Sequence, residues 1–315
     1  MEHFLRIFQL KMLNSNYLMV IDMDNARYRA FVLAVESGSI RNASEVLGYT
    51  SSAVSQLIQS LEKELDTTLL VRGKSGVSLT TSGEKLLPII RRILSDEEML
   101  RETAAGLNGV ILGTINVASY HSLSYTWMPE IIESFQKKYP DVQINLYVGT
   151  QDSIVERLMS GKADIAFFND SNMKEKHDWI PLMDDPMVAI VPEDHPLAHE
   201  KAFPVKCFDG ERFIMSDHGY DYDIMHILRQ AGVSPNITIS TFDSYALLSM
   251  IERGMGVSIA NSIGISANEK QGKIRIIPLE PAYTLHMGMA VRSLKTVSPA
   301  VLKFIECAKG LVGNS

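Results

Sequence analysis

The sequence predicts a mixed α/β chain in three parts: a winged helix-turn-helix, a long linker helix and a two-lobed α/β domain. Three stretches predict it. From Ala43 to Leu70, ASEVLGYTSSAVSQLIQSLEKELDTTLL reads as two helices around a tight turn; Ser82 to Leu107 carries no loop signal; and from Gly113 onward strand and helix patterns alternate.

In the first stretch Val54, Leu57, Ile58, Leu61 and Leu65 recur at helical spacing, so one stripe of the helix is buried. The opposite stripe is Ser51, Ser52, Ser55, Gln56, Gln59 and Ser60. Short hydroxyls and amides suit hydrogen bonding to base edges and phosphates, where a generic solvated face would carry more Glu and Lys. Upstream, Ala43, Val46 and Leu47 form a short helix closed by Gly48, which can take the left-handed C-terminal position, and Thr50 offers a hydroxyl N-cap to the next helix. A short helix, a turn and a longer polar-faced helix make a helix-turn-helix. Residues 26–37, apolar through Tyr28, Phe31, Val32 and Val35 and ended by Gly38, supply the first helix of a three-helix core onto which the helix-turn-helix packs. After Leu70, VRGKSGVSLTTSG places Gly73 and Gly76 around a basic turn between two short alternating strands, the signature of a hairpin and hence of a wing.

In the second stretch Leu86, Ile90, Ile93, Glu97, Leu100, Ala104 and Leu107 fall at alternating spacings of four and three, a heptad seam interrupted by Glu97. A helix this long exceeds what its own small domain can bury, so a partner helix from a second chain is expected. Pro88 removes one backbone hydrogen bond and is expected to kink the helix near the wing.

In the third stretch strands at 115–118, 142–148, 165–168 and 187–191 alternate with helices, then a second set follows at 213–216, 237–239, 257–260, 274–277 and 285–291. Such alternation implies mostly parallel sheet covered on both faces. Two lobes, joined by strands crossing near 185–191 and 285–291, leave a cleft between them. Ser298 and Pro299 open a final helix.

Composition narrows the function classes. The 315 residues suggest two or three domains, and 46% hydrophobic with 21% charged residues is ordinary globular composition. A net charge of −7 does not announce a nucleic-acid binder, and residues 24–85 hold seven basic and seven acidic side chains. Basic character is local: Arg72, Lys74, Lys85, Arg91 and Arg92 face only Glu84 between 72 and 92. Cys207 and Cys307, a hundred positions apart, signal neither a zinc site nor a disulfide and are expected to be buried structural thiols. No run of 18 apolar residues exists, so no membrane partner is expected. The first 22 residues lack a small-residue cleavage site and read as an extension, with Met23 the natural start.

Four segments, in order, carry a family resemblance: AVESGSIRNASEVLGYTSSAVSQLIQSLEKELDTTLLVRGKSGVSLTTSGEKLL, GTINVASYHSLSYTWMPEIIESFQKKYPDVQI, VAIVPEDHPLA and FDSYALLSMIERGMGVSIA. Together they resemble the LysR-type transcriptional regulators over about residues 23–309. The resemblance implies double-stranded DNA as a partner, a dimerising linker helix, a domain similar to periplasmic solute-binding proteins that takes a small effector, a homodimer or homotetramer, RNA polymerase as a further partner and a cytoplasmic location. It sets boundaries of 1–22 for the extension, 23–81 for the DNA-binding domain, 82–109 for the linker and 110–315 for the effector domain, with lobe I at 110–185 and 285–315 and lobe II at 186–284. The chain departs from the family's frequent Gln-Pro at Ser51-Ser52, from Arg-Gln at Gln56-Leu57 and from Leu-Pro at Ala260-Asn261. Its recognition face is therefore less basic than usual.

The candidate DNA contacts are Gln56 and Gln59 for bases, since glutamine pairs bidentately with adenine, with Ser51, Ser52 and Ser55 beside them and Arg72 and Lys74 on the phosphates. Candidate effector contacts follow from strand ends feeding helix N-termini, where free N–H groups favour an anion such as a carboxylate. These are Ser119, Tyr120, Ser122 and Thr150 from one lobe and Ser216 and Phe242 from the other, although ordinary capping accounts equally for any single Ser or Thr. His195 and His199 flank Pro196 in a loop and carry no metal signal; Gly254 and Gly256 follow a helix, the reverse of a nucleotide fingerprint. No catalytic set and no resident cofactor is expected. A rival reading keeps the ligand-binding lobes but gives the near-neutral N-terminal domain no grip on DNA.

Overall fold

The computed structural model describes residues 25–73, 76–171, 176–216, 222–266 and 273–312; the expected extension at 1–22 and Lys74 lie outside them. The chain divides into two compact units, the first ending at Arg101 and the second beginning at Glu102.

In the first unit α1 spans residues 25–37, followed by α2 (Ile40–Leu47), α3 (Ser51–Glu64), the antiparallel hairpin β1 (Leu70–Gly73) and β2 (Gly76–Leu79), and the start of α4 (Thr81–Leu107). Ala30, Phe31, Ala43, Val54, Ile58, Leu61, Leu69, Leu87 and Ile90 form one buried cluster. Ser39 caps α2, Gly48 closes it in the left-handed region with φ 69°, and Thr50 Oγ1 accepts from Ala53 N at 3.1 Å to start α3. Glu62 Oε1 accepts from Leu69 N at 2.7 Å and Leu70 N at 3.1 Å, fixing the loop between α3 and the wing. At Gly76, φ 119°, a side chain would run into the Gly38 carbonyl, so the wing can lie against the end of α1 only with glycine there.

Helix α4 continues as one helix through Pro88. The expected seam needs correction at its N-terminal end. Leu86 and Ile90, assigned above to a partner helix, pack with the cluster of their own unit. Glu97 is no defect in the seam, because it faces α1 and pairs with Arg29 at 3.3 Å, Arg101 at 2.6 Å and Asn25 at 2.9 Å. The large apolar side chains left exposed on α4 are Ile89, Ile93, Leu100 and Leu107.

In the second unit β3 (Gly113–Tyr120) pairs in parallel with β4 (Val142–Gly149) and β5 (Ile165–Asn169). Helix α5 (His121–Thr126), α6 (Met128–Lys138), α7 (Gln151–Met159) and α11 (Pro299–Val312) cover this lobe. Alternation splits its core across the sheet: Ile115, Val117, Ile165 and Phe167 pack on one side, Ala118, Ala166 and Phe168 on the other. The helix predicted from Leu123 to Phe135 is two helices, broken at Trp127 ahead of Pro129.

The crossing strands are β6 (Asp178–Pro192) and β12 (Thr284–Val291). Strand β6 begins nine residues earlier than predicted, because Pro181, Asp184, Asp185 and Pro186 read as a loop although they pair with β12. Its first part belongs to lobe I; its second part lies between β10 (Ser258–Asn261) and β11 (Ile274–Glu280) in lobe II. One strand leaves lobe I and the other returns, so both join the sheet antiparallel and the sheets are mixed rather than mostly parallel. Lobe II adds β7 (Phe203–Pro204) beside β11, the parallel pair β8 (Arg212–Ser216) and β9 (Asn236–Thr241), α8 (Tyr222–Ala231), α9 (Ser244–Glu252) and the short α10 (Ser262–Ser266). Its core also divides by alternation, Phe213 and Met215 against Ile214.

Candidate functional site

Two surfaces answer to the sequence expectations. On α3, Val54, Ile58 and Leu61 are fully buried while Ser51, Ser52, Gln56, Gln59 and Ser60 are exposed. Ser55 is half-buried and accepts from Arg72 Nη1 at 2.7 Å, so the wing's arginine is drawn onto the helix beside the glutamines. Ser51 Oγ lies 3.1 Å from Ser44 Oγ, tying the first turn of α3 to α2. The result is an uncharged donor and acceptor strip edged by a guanidinium, a surface able to read base edges while anchoring on phosphate.

The second surface is a cleft of about 490 Å³ between the lobes. Tyr120, Ser122 and Thr150 line it from lobe I, and Ser216 and Phe242 from lobe II. Ser119 does not: it is fully buried and its hydroxyl donates to Tyr120 O at 3.1 Å. Thr150 also N-caps α7, accepting from Ser153 N at 3.5 Å, so its capping and cleft-lining roles coexist. Contacts span the lobes across the cleft. Asn169 Nδ2 donates to Asp223 Oδ2 at 2.8 Å, Tyr125 Oη donates to Gly264 O at 2.7 Å, and the His121 ring meets Phe242 edge-on at 4.7 Å. Burial pushes the Tyr125 hydroxyl above its ordinary pKa against the lowering effect of a hydrogen bond with Ser244, so it stays a neutral donor. Where the chain crosses, the fully buried Asp185 accepts from Asn261 Nδ2 at 2.7 Å, Ser262 Oγ at 2.8 Å and Ile263 N at 3.1 Å, which fixes α10 against β6.

Comparison with known proteins places the two surfaces in two family domains. Residues 26–84 match the model of the bacterial regulatory helix-turn-helix protein of the lysR family, and residues 108–312 match the LysR substrate binding domain. The HTH-type transcriptional regulator YvbU of Bacillus subtilis is 32% identical over 292 residues, 92% of this chain and 99% of its own. The chain belongs to the LysR family. It is a DNA-binding transcriptional regulator with an effector-binding domain. In fold it is similar to a cysteine-to-aspartate variant of full-length OxyR from Pseudomonas aeruginosa (TM-score 0.73, 20% identity, covering 90% of this chain and 97% of that one). It is also similar to CbnR solved in complex with its target DNA (TM-score 0.61, 19% identity, covering 91% and 99%).

Several features of this LysR-type regulator escaped sequence reasoning. Asp152 is exposed in the turn after Thr150, and Asn169 ends a strand as Tyr120 does, so the rule that located Thr150 also points to them. Asp223 and Tyr125 reach the cleft only through tertiary packing, for which the sequence holds no signal. Tyr49 and Val46 stand exposed at the turn between α2 and α3. Cys207 is exposed, not buried, because Val205 and Phe208 take the inward positions of their short 3-10 turn; Cys307 is half-buried. His195 packs on Phe203 with its Nδ1 accepting from Leu197 N at 3.1 Å, a structural role. Among the described residues no group of three His, Cys, Asp or Glu could hold a metal, and no helix is long and apolar enough to cross a membrane.

Proposed function

We propose that this regulator works as a cytoplasmic homodimer or homotetramer whose paired α3 helices enter successive major grooves of an imperfect palindrome, about 34 Å apart or a multiple of it. Gln56 and Gln59 read bases, Ser51, Ser52 and Ser55 support them, and Arg72 with Lys74 anchors on phosphate. The exposed Ile89, Ile93, Leu100 and Leu107 of α4 support self-association, because an apolar helix stripe of that length needs a partner. A small molecule in the interlobe cleft shifts the balance between subunit arrangements, and so the presentation of the two helices to DNA and to RNA polymerase. The cleft binds and does not transform its ligand, in keeping with relatives that are named as regulators.

One observation carries this reading: the glutamine and serine face of α3 is exposed beside Arg72 instead of packed into the unit. An electrophoretic shift with the DNA flanking the protein's own gene tests it. A retarded band that survives excess unrelated duplex is expected. Equal competition by any duplex, or no retardation at low salt, returns the chain to the rival reading of a ligand-binding protein without DNA function.

A further inference from the structure

The helix N-termini that open on the interlobe cleft favour an anion only while nothing negative stands in them. Among the described residues, each of the three helices of at least nine residues that begins at the cleft has an aspartate at its start. Asp152 lies in the first turn of α7, Asp223 in the first turn of α8, and Asp243 N-caps α9, accepting from Tyr245 N at 2.8 Å and Ala246 N at 3.1 Å. These carboxylates answer the helix dipoles from within the chain, so an incoming carboxylate meets like charge instead of free positive ends.

The rest of the lining points the same way. Among its described residues there is no Lys or Arg, and His121 is turned edge-on to Phe242. Asp152 is exposed and carries no ion pair or hydrogen bond among the described residues. Ser122 is nine-tenths buried and lines the cleft, yet its hydroxyl has no hydrogen-bond partner among the described residues. That oxygen is reached by solvent, so it opens on the cleft and is available to a ligand donor. The same lining holds the rings of Tyr120, Tyr125, Tyr222 and Phe242, a residue type whose faces attract cations and stack on planar groups, although Tyr222 already stacks on His226.

We propose that the effector of this cleft is a small organic cation, an amine borne on a ring-containing body, and that free carboxylates are excluded. The ammonium group pairs with Asp152 and donates to Ser122, and the ring lies among the aromatic side chains. This rests on the reading of the cleft as the effector site and adds the charge and shape of what fills it.

The test is isothermal titration and thermal shift of the full-length protein with benzylamine and phenethylamine against benzoate and phenylacetate. The amines are expected to bind and raise the melting temperature while the carboxylates do neither. Asp152→Asn should weaken the amines by about tenfold, the worth of one charge-assisted hydrogen bond. Asp152→Lys, at an exposed position that tolerates the change, should invert the preference. Carboxylates binding in place of amines, and losing that binding in the cleft-filling Ala260→Trp, would overturn the charge assignment while leaving the cleft as the effector site. Ligand binding untouched by Ala260→Trp would overturn the cleft reading and the proposal with it. Binding of neither set at millimolar concentration also overturns the proposed class.

Discussion

The recognition face and the interlobe cleft handle polar groups in opposite ways. On α3 five serines and glutamines stand exposed on a single helix, the glutamine side chains without a hydrogen bond among the described residues, so the face is complete in one segment. The cleft draws residues from at least five separate segments and spends many of its polar groups internally: Tyr120 Oη donates to Gln151 Oε1 at 2.8 Å, Asn169 holds Asp223, and Asp185 holds Asn261 and Ser262. A surface built to read a rigid duplex needs unsatisfied groups at fixed spacing. A cleft that must take two arrangements needs bonds that hold each lobe and a few that can be exchanged.

The largest expected effects separate the two units that carry these surfaces. Phe31 and Phe304 are each fully buried, one in each unit. Either change to Ala should cost about 3–5 kcal/mol. By calorimetry Phe31→Ala should lower the transition of the DNA-binding unit and Phe304→Ala that of the lobes; one shared transition moved equally by both would erase the distinction. Next comes Asp185→Ala, which removes a fully buried acceptor from three half-buried donors and should cost about 1–3 kcal/mol in urea unfolding. Its effect on ligand binding should exceed its effect on DNA affinity. Arg72→Ala comes third: its phosphate contact is sequence-blind, so affinity should fall alike on every duplex and the salt slope should drop by about 1. Losses confined to one sequence would make Arg72 a base reader instead.

The smallest effect lies at the exposed pair where the chain crosses. Hydrogen bonding to Asp184 holds His286 above its ordinary pKa, reinforced by the nearby Asp170. A raised histidine pKa adds stability below its unfolded value and loses it as pH rises through the folded value. At this exposure the gain is screened, and NMR titration is the right readout. Asp184→Asn should move the His286 titration downward; no movement would deny the pairing.

Legibility in the sequence followed locality. The helix-turn-helix was readable because its buried stripe, glycine cap and hydroxyl N-cap all lie within about thirty residues of chain, where periodicity speaks directly. The strand ends at Tyr120 and Thr150 were readable for the same reason. The long crossing strand β6 was not, since Pro181 and Pro186 imitate loop punctuation while their pairing with β12 lies a hundred residues away. Glu97 looked like a flaw in a seam because its partners, Arg29 and Asn25, belong to a different helix. Ser119 looked like a cleft residue because alternation could not say which way the last turn of β3 faces; it faces inward.

Selection of binding sites from random duplexes, run on the wild type and on Gln56→Ala, tests the central claim most directly. The wild type should return an imperfect palindrome, and Gln56→Ala should lose preference at one base position in each half-site, worth about 1–3 kcal/mol, while keeping the spacing. An unchanged motif from Gln56→Ala, or a uniform loss on all sequences, would contradict the assignment of α3 as the surface that reads DNA.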